Sequence, residues 1–130
     1  MISTPVANQK VWLQSYPKGV AHEIDLSPYK SILTVFDEAV RTYKNAPCFS
    51  NLGVTMTFDD LDKKSAAFAS FLQNELKLKK GDRIAIQMPN LLQFPIALFG
   101  SLRAGLVVVN TNPLYTPTEM RHQFKDSGAK

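Results

Sequence analysis

The sequence contains very little cysteine and histidine. Its 130 residues include one cysteine, Cys48, and two histidines, His22 and His122. A single cysteine cannot form an internal disulfide and is typical of proteins in a reducing compartment. Glu119 and His122 have the three-residue spacing found on helices that bind carboxylate-bridged metals. No second set of ligands accompanies them, so we interpret this pair as part of a solvated helix face and assign no metal-binding residue.

Long apolar runs and sorting signals are also missing. The most apolar stretch, residues 91–109, is interrupted by Gln93, Ser101 and Arg103, whereas a membrane-spanning helix needs about 20 mostly apolar residues. The N-terminus lacks the basic start and apolar core of a secretory signal. From these absences we expect a cytoplasmic protein.

Three further catalytic signatures are absent. The six glycines are scattered singly, so there is no glycine-rich phosphate loop. Cys48 has no histidine partner in its neighbourhood and is interpreted as a small buried side chain. His122, Asp126 and Ser127 lie close together in sequence, but residues along one surface helix do not form a proton relay, so a catalytic triad is not predicted.

Positive charge is concentrated in the second half of the chain. Lys and Arg number 15 against 11 Asp and Glu, a net charge of +4. The densest cluster is Lys77, Lys79, Lys80 and Arg83. Such a cluster attracts nucleic acid, a membrane surface or an anionic ligand, or it completes the C-terminus of a helix, which is the interpretation we favour. No aromatic stacking platform is interleaved with these residues, so nucleic-acid binding is not predicted.

The first half of the chain predicts an arm, a helix, a hairpin and a second helix. Residues 1–30 lack a sustained period and predict an extended arm. The apolar stripe over 32–44 predicts a helix capped by Ser31. Residues 48–49 and 54–57 predict a hairpin with its turn at 51–53. Thr57 with Asp60 predicts a capping box at the start of the second helix. The buried face of this helix is expected to contain Leu61, Phe68, Leu72 and Leu76.

The second half predicts a βαβ unit followed by one more helix. Residues 83–88 and 106–109 predict parallel strands, separated by a nearly all-apolar helix over 91–104 that Asn90 is expected to cap. Pro95 is expected to loosen or kink the start of this helix. Thr116, Pro117 and Glu119 mark the start of a fourth helix, which runs to about Ser127 and is closed by Gly128. The predicted fold class is therefore α/β, with right-handed crossovers.

The predicted sheet is too thin for a finished fold. Two parallel strands and one small hairpin are few for four helices, because parallel sheets normally have more strands and helices on both faces. We therefore expect the N-terminal piece of a longer protein.

The best candidate for a functional surface is the loop over 110–116. It follows the carboxyl end of a parallel strand, which is where open α/β sheets place their ligands. The alternative is purely structural: Asn and Pro form the turn, Tyr115 packs, and Thr116 caps the next helix. We favour this structural alternative.

Several segments resemble the bacterial long-chain-fatty-acid–CoA ligases, which are AMP-forming, adenylate-forming enzymes. The segments that carry the resemblance are Val11-Trp12-Leu13 with Tyr16-Pro17, Met56-Thr57-Phe58, KKGDRIAIQMPN at 79–90, ALFGSLRAGLVVVNTNPLYTPTEM at 97–120, and the ending from His122 to Ala129. The resemblance covers nearly all of the chain from about residue 10. The shorter segments recur across adenylate-forming enzymes, whereas the run through NPLYTP is more particular to the fatty acyl-CoA ligases.

The resemblance implies an enzyme that activates long-chain fatty acids with ATP, Mg²⁺ and coenzyme A. Residues 1–30 would be an N-terminal arm, and residues 31–130 the first part of the AMP-binding large domain, truncated before the phosphate loop. This piece would be an inactive scaffold to which no catalytic, cofactor-binding or metal-binding residue is assigned. The resemblance further implies a homodimer, whose contact in some relatives is made by the N-terminal region, and peripheral association with the inner face of the cytoplasmic membrane. The alternative is a small stand-alone α/β module that binds a partner or a membrane surface.

Overall fold

The computed structural model describes residues 10–129, and the chain divides into two compact units, with the boundary between Lys30 and Ser31. In the first unit, a short 3₁₀ helix spans Val11–Ser15. The Tyr16 ring meets the His22 ring edge-on at 6.0 Å, and Lys10 forms an ion pair with Glu23. The rest of this unit within the described residues is turns and irregular backbone, as the lack of a sustained period predicts. The beginning of the predicted arm, residues 1–9, lies outside the described residues.

The second unit begins with helix α1, Ile32–Tyr43. The Thr34 backbone N–H donates to Ser31 Oγ at 3.1 Å, which confirms the predicted N-cap. A two-stranded antiparallel hairpin follows, with β1 at Pro47–Asn51 and β2 at Val54–Thr57. Its turn is tighter than predicted, because Asn51 already pairs with Val54 and only two residues connect the strands. Leu52 and Gly53 both have positive φ, 48° and 79°, as the favoured type I′ turn requires.

Helix α2 spans Phe58–Asn74 and begins with the predicted capping box. The Asp60 N–H donates to Thr57 Oγ1 at 3.1 Å, while the Thr57 N–H donates to the Asp60 carboxylate at 3.1 Å. Leu61 and Leu72 are buried as predicted, and Phe68 is partly buried. The placement of Leu76 on the buried face is wrong: the helix ends two residues earlier, and Leu76 is 52% exposed.

A parallel strand pair forms the second sheet, with β3 at Arg83–Gln87 and β4 at Val107–Thr111. β4 begins one residue later and ends two residues later than predicted. The intervening helix α3, Gln93–Arg103, contacts α1, α2 and both strands, so it is covered on more than one side as its composition predicts. The prediction that Asn90 caps α3 is wrong. The cap position is Leu92, without a side-chain hydrogen bond, and a turn in which the Phe94 N–H donates to the Leu91 carbonyl precedes it.

Helix α4, Pro117–Ser127, follows β4 and has both predicted ends. Thr116 and Glu119 form a capping box, and Gly128 closes the helix in the left-handed conformation with φ 65°. Among the helices in the described residues, none has the length and apolar character needed to cross a membrane.

The core of the second unit consists of two apolar clusters. Phe36, Met56 and Leu61 centre the first cluster. The second contains four buried side chains, with Phe68, Leu78 and Ile84 packed against them: Ala69, Leu72, Ala104 and Leu106. The α2 and α3 backbones approach closely at Gly100, where an added Cβ would lie 2.9 Å from the Ser65 carbonyl oxygen and 2.8 Å from Phe68 Cδ1.

One charged side chain joins three helices next to this close approach. Arg103 Nη1 donates to the Asp62 carbonyl at 2.7 Å and to Ser65 Oγ at 3.0 Å, and Nη2 pairs with the Asp62 carboxylate. The guanidinium lies 5.0 Å from the centre of the Phe36 ring of α1. Phe36 in turn stacks on Phe99 of α3 at 4.2 Å. The last turn of α3 is thereby tied to both α1 and α2.

Candidate functional site

The candidate loop begins at the carboxyl ends of the two parallel strands. Gln87 ends β3 and is paired in register with Thr111, the last residue of β4. From there Gln87 Nε2 reaches across to the Asn112 carbonyl at 3.4 Å. The structure therefore places the loop at the edge of the sheet where α/β proteins bind ligands, as predicted.

The loop uses its own polar groups to hold its shape. Asn112 Oδ1 accepts from the Leu114 N–H at 3.0 Å, and the Asn112 carbonyl accepts from the Tyr115 N–H at 3.1 Å. This is the local turn that an asparagine side chain stabilises. Leu114 projects from its tip and is 87% exposed.

Helix α4 binds both ends of the loop. Gln123 Nε2 donates to the Asn110 carbonyl at 3.0 Å. Glu119 Oε2 accepts from the Thr116 hydroxyl at 2.7 Å and from the Thr116 N–H at 2.8 Å. Both hydrogen bonds lower the pKa of Glu119, the one from the Thr116 hydroxyl more than the one from the backbone N–H. The polar side chains that made this loop a candidate are thus engaged in turn and cap formation, which is the structural alternative.

The outer face of α4 brings together several of the residues weighed as chemical candidates. Glu119, His122 and Asp126 line a shallow surface depression with Tyr115. Glu119 is already committed to the helix cap, and His122 is exposed. Within residues 10–129, no group of three or more His, Cys, Asp or Glu side chains is arranged to hold a metal ion.

Cys48 is held as a structural residue in the first core cluster. Its thiol donates to the Met56 carbonyl at 3.2 Å across the hairpin. Burial raises the pKa of the Cys48 thiol, which disfavours the thiolate form needed for nucleophilic attack. The side chain is only partly buried, whereas the sequence predicted a fully buried one.

The basic cluster does not complete the C-terminus of α2. No basic residue lies in the last turn of this helix, which ends at Asn74, and Lys77 follows it with a positive φ of 55°. Lys79 and Lys80 belong to the turn before β3, and Arg83 opens that strand. The favoured interpretation of the cluster as a helix end is therefore wrong. The helix ends at Asn74, so all four cations lie beyond its last turn.

Two apolar depressions beside the hairpin were not predicted. One, of 210 Å³, lies between α1 and the hairpin and is lined by Val35, Phe36 and Phe49 among others. The other, of 240 Å³, lies between the hairpin and the start of α3, where Asn51 Nδ2 donates to the Asn90 carbonyl at 3.1 Å. The sequence did contain a signal for the first depression. Ile32 and Val35 lie on the apolar side of α1, and the short hairpin has too few residues to cover them.

The second unit is an α/β subdomain in which helices pack around a parallel βαβ unit. Polar groups of its loop at 110–116 form hydrogen bonds that hold the local structure. Its fold is similar to that of part of the N-terminal subdomain of Klebsiella oxytoca NpsA, with a TM-score of 0.74 over 78% of this chain and 26% of that one, at 24% identity. The chain belongs to the AMP-binding enzyme family, whose model matches residues 36–130.

Two curated relatives are much closer in sequence. The chain is 57% identical to the long-chain-fatty-acid–CoA ligase of Haemophilus influenzae and 56% identical to that of Yersinia pestis, in each case over 121 residues and 93% of this chain. The matched region is 22% of the length of either relative. The chain thus spans less than a quarter of the curated ligases that it matches.

Proposed function

We propose that this chain is the N-terminal part of a ligase that converts long-chain fatty acids to acyl-CoA. The observation that carries the proposal is the 57% identity to a long-chain-fatty-acid–CoA ligase across 93% of the chain. In the proposed reaction, ATP and the fatty acid form an acyl-adenylate and pyrophosphate. The thiolate of coenzyme A then displaces AMP to form the thioester. Adenylation is needed because a carboxylate oxygen is a poor leaving group.

Within that enzyme the chain acts as a scaffold. Residues 1–30 form an N-terminal arm, and residues 31–130 form the first part of the AMP-binding large domain, upstream of the phosphate loop. Support comes from the loop at 110–116, whose Asn112 and Thr116 side chains hold the backbone. The 130 residues alone are expected to bind no ATP and to catalyse nothing. The close ligase relatives favour this role over a stand-alone binding module.

The residues described do not fit the Mg²⁺ proposed for the whole enzyme. Mg²⁺ prefers a set of oxygen ligands, and residues 10–129 contain no group of three or more His, Cys, Asp or Glu side chains that could hold a metal ion. We therefore propose that Mg²⁺ binds elsewhere in the longer protein, and ATP and coenzyme A are proposed as its substrates because of the ligase relatives.

Two proposals concern assembly and location. The first is a homodimer formed through the N-terminal region, supported by the exposed apolar side chains of the first unit, among them Trp12, Ile24 and Leu26. The second is a cytoplasmic enzyme that associates peripherally with the inner face of the membrane, supported by the surface cations at 77–83.

A chimera tests the proposed ligase function. The aligned N-terminal segment of the Haemophilus influenzae ligase is replaced by this chain, and fatty-acid-dependent acyl-CoA formation is measured. We expect activity, because the segment supplies the same scaffold. A matched chimera carrying Leu61→Asp is expected to fail, since this core side chain is 1% exposed. A soluble, folded chimera of the unmodified chain without activity would overturn the proposal.

A further inference from the structure

Helix α1 is held unevenly along its length. Phe36 is the one buried side chain of this helix, all of whose residues the structure describes. On the same side of the helix, Ile32 and Val35 are 60% and 39% exposed, and both line the 210 Å³ apolar depression between α1 and the hairpin. The hydrogen bonds of the Ser31 cap stay within the first turn. The first half of α1 therefore lies over a space that it does not fill.

The C-terminal end of α1 is fastened to the start of α2. The Asp59 N–H donates to the Lys44 carbonyl at 2.9 Å, and the Lys44 ammonium lies 3.6 Å from the Asp59 carboxylate. The Phe58 N–H donates to the Ala46 carbonyl at 3.2 Å, and the Tyr43 and Phe58 rings are 6.0 Å apart. Two of these contacts join backbone to backbone, so they remain in place when side chains further along α1 move.

Phe36 supplies the central contact between α1 and the rest of the subdomain. Its ring stacks on the Phe99 ring of α3 with 4.2 Å between the ring centres, and the Arg103 guanidinium lies 5.0 Å from the centre of the Phe36 ring. Val40, one turn further along, is partly buried against the same core cluster. A helix of 12 residues is marginal in water by itself. The folding of α1 therefore depends on this docking.

We propose that α1 is a hinged strap, which undocks and unfolds while α2, α3 and the parallel strands stay folded. The chain pivots at residues 44–46, the Phe36 ring leaves α3, and the apolar depression opens to water. Undocking the first half of the helix exposes little new apolar surface, because Ile32 and Val35 are already partly exposed. Segments with few buried apolar side chains open at a lower free energy than global unfolding. Helix α2, by contrast, buries four side chains.

Native-state hydrogen exchange of the 130-residue chain tests the strap. The amides of residues 36–43, which donate to carbonyls four residues earlier in α1, are followed by mass spectrometry at urea concentrations below the unfolding transition. We expect them to exchange at least about tenfold faster than the central amides of α2. Their rate should also be nearly independent of urea, because a local opening exposes little surface.

Phe36→Leu tests the contact that holds the strap closed. It removes the ring stack and the contact with Arg103, which exist in the docked state alone, so the exchange of α1 should become about tenfold faster. The matched control is Phe68→Leu, the same change to a partly buried ring of the second core cluster. It should lower the free energy of global unfolding and leave the exchange of α1 nearly unchanged, because Phe68 stays packed when α1 is open. If Phe36→Leu fails to fold, Val40→Ala is a milder change on the same side of α1.

Each outcome decides for or against the strap. Early, urea-insensitive exchange of α1 that responds to Phe36→Leu and not to Phe68→Leu supports it. Exchange of α1 together with α2, with the urea dependence of global unfolding, overturns it. Equal acceleration in the two phenylalanine variants overturns it as well. Circular dichroism checks that each variant keeps its helices. None of these results bears on ligase activity, which the chimera measures separately.

Discussion

The α2–α3 interface and the loop at 110–116 use their polar residues in opposite ways. At the interface, the Arg103 guanidinium crosses between helices and binds Asp62 and Ser65, and a glycine permits the backbones to touch. In the loop, the Asn112 and Thr116 side chains bind only groups within three residues along the chain. Long-range contacts of the first kind hold the subdomain together, whereas local contacts of the second kind shape one turn. Residue types that look functional in a sequence can therefore be entirely occupied by local structure.

The largest effect in this comparison is expected at Gly100. In Gly100→Val, the new side chain meets the Ser65 carbonyl and the Phe68 ring, so the helices must separate. We expect the free energy of unfolding to fall by about 3 kcal/mol. Urea unfolding followed by circular dichroism measures it. Ala66→Val on the exposed face of α2 is the control and should lower the free energy of unfolding by much less than Gly100→Val. Equal losses in the two variants would mean that the close approach of α2 and α3 is unimportant.

The next largest effect is expected from Arg103→Met. Methionine keeps much of the length and apolar contact of the side chain but leaves the Asp62 carboxylate and Ser65 hydroxyl without their donor. Because the Arg103 side chain is 22% exposed and the Asp62 side chain 35%, solvent partly compensates. We expect a loss of about 2 kcal/mol in the same unfolding measurement. Asp37 is a second, more distant carboxylate partner of Arg103, at 3.8 Å. Asp37→Asn should therefore change the free energy of unfolding little. If Arg103→Met left the free energy of unfolding unchanged, Arg103 would not link the three helices.

A smaller effect is expected in the loop. Thr116→Ala removes the hydroxyl that accepts from the Glu119 N–H and donates to its carboxylate. The loss of this cap should cost about 1 kcal/mol. Thr118→Ala, at an exposed position in the first turn of the same helix, is the control and should be nearly silent. If the two variants unfolded at the same urea concentration, the capping box would not stabilise α4.

The smallest effect concerns pH. The Thr116 hydrogen bonds lower the pKa of Glu119 from its ordinary value of 4.5. A carboxyl whose folded pKa is depressed stabilises the protein above its unfolded pKa, and this contribution disappears as pH falls through the folded value. The stability difference between the parent and Glu119→Gln should therefore shrink as the pH is lowered below 4.5. A difference that stays constant down the acid limb would mean that the carboxylate charge does not contribute.

Local signals in the sequence predicted much of this fold. Both capping boxes, the Ser31 cap and the Gly128 closure depend on residues within a few positions of each other. Errors arose where distant contacts decide. α2 ends before Leu76 because Leu78 is drawn into the core instead. The start of α3 moved past Asn90, whose carbonyl accepts from the Asn51 side chain of the hairpin.

The position of the candidate loop and its local turn and cap were predictable, but its long-range contacts were not. The strand order alone placed the loop at 110–116 at the carboxyl edge of the sheet. That Gln87 and Gln123 would bind its backbone could not be predicted, since neither lies within ten residues of its partner. Arg103 entered the sequence reasoning only as an interruption of an apolar run. Its partner Asp62 is 41 residues away, and periodicity carries no signal for such a pair.

The most direct test of the central claim, that these residues build structure and perform no chemistry, is a rate measurement. The chimera with the Haemophilus influenzae ligase is compared with and without Asn112→Ala, and kcat/KM for acyl-CoA formation is determined per folded molecule. We predict values within about twofold of each other, because Asn112 acts only on the loop backbone. A loss of about a hundredfold or more in a chimera that remains folded is what removing a catalytic group costs. That result would contradict the account and make the loop part of the active site.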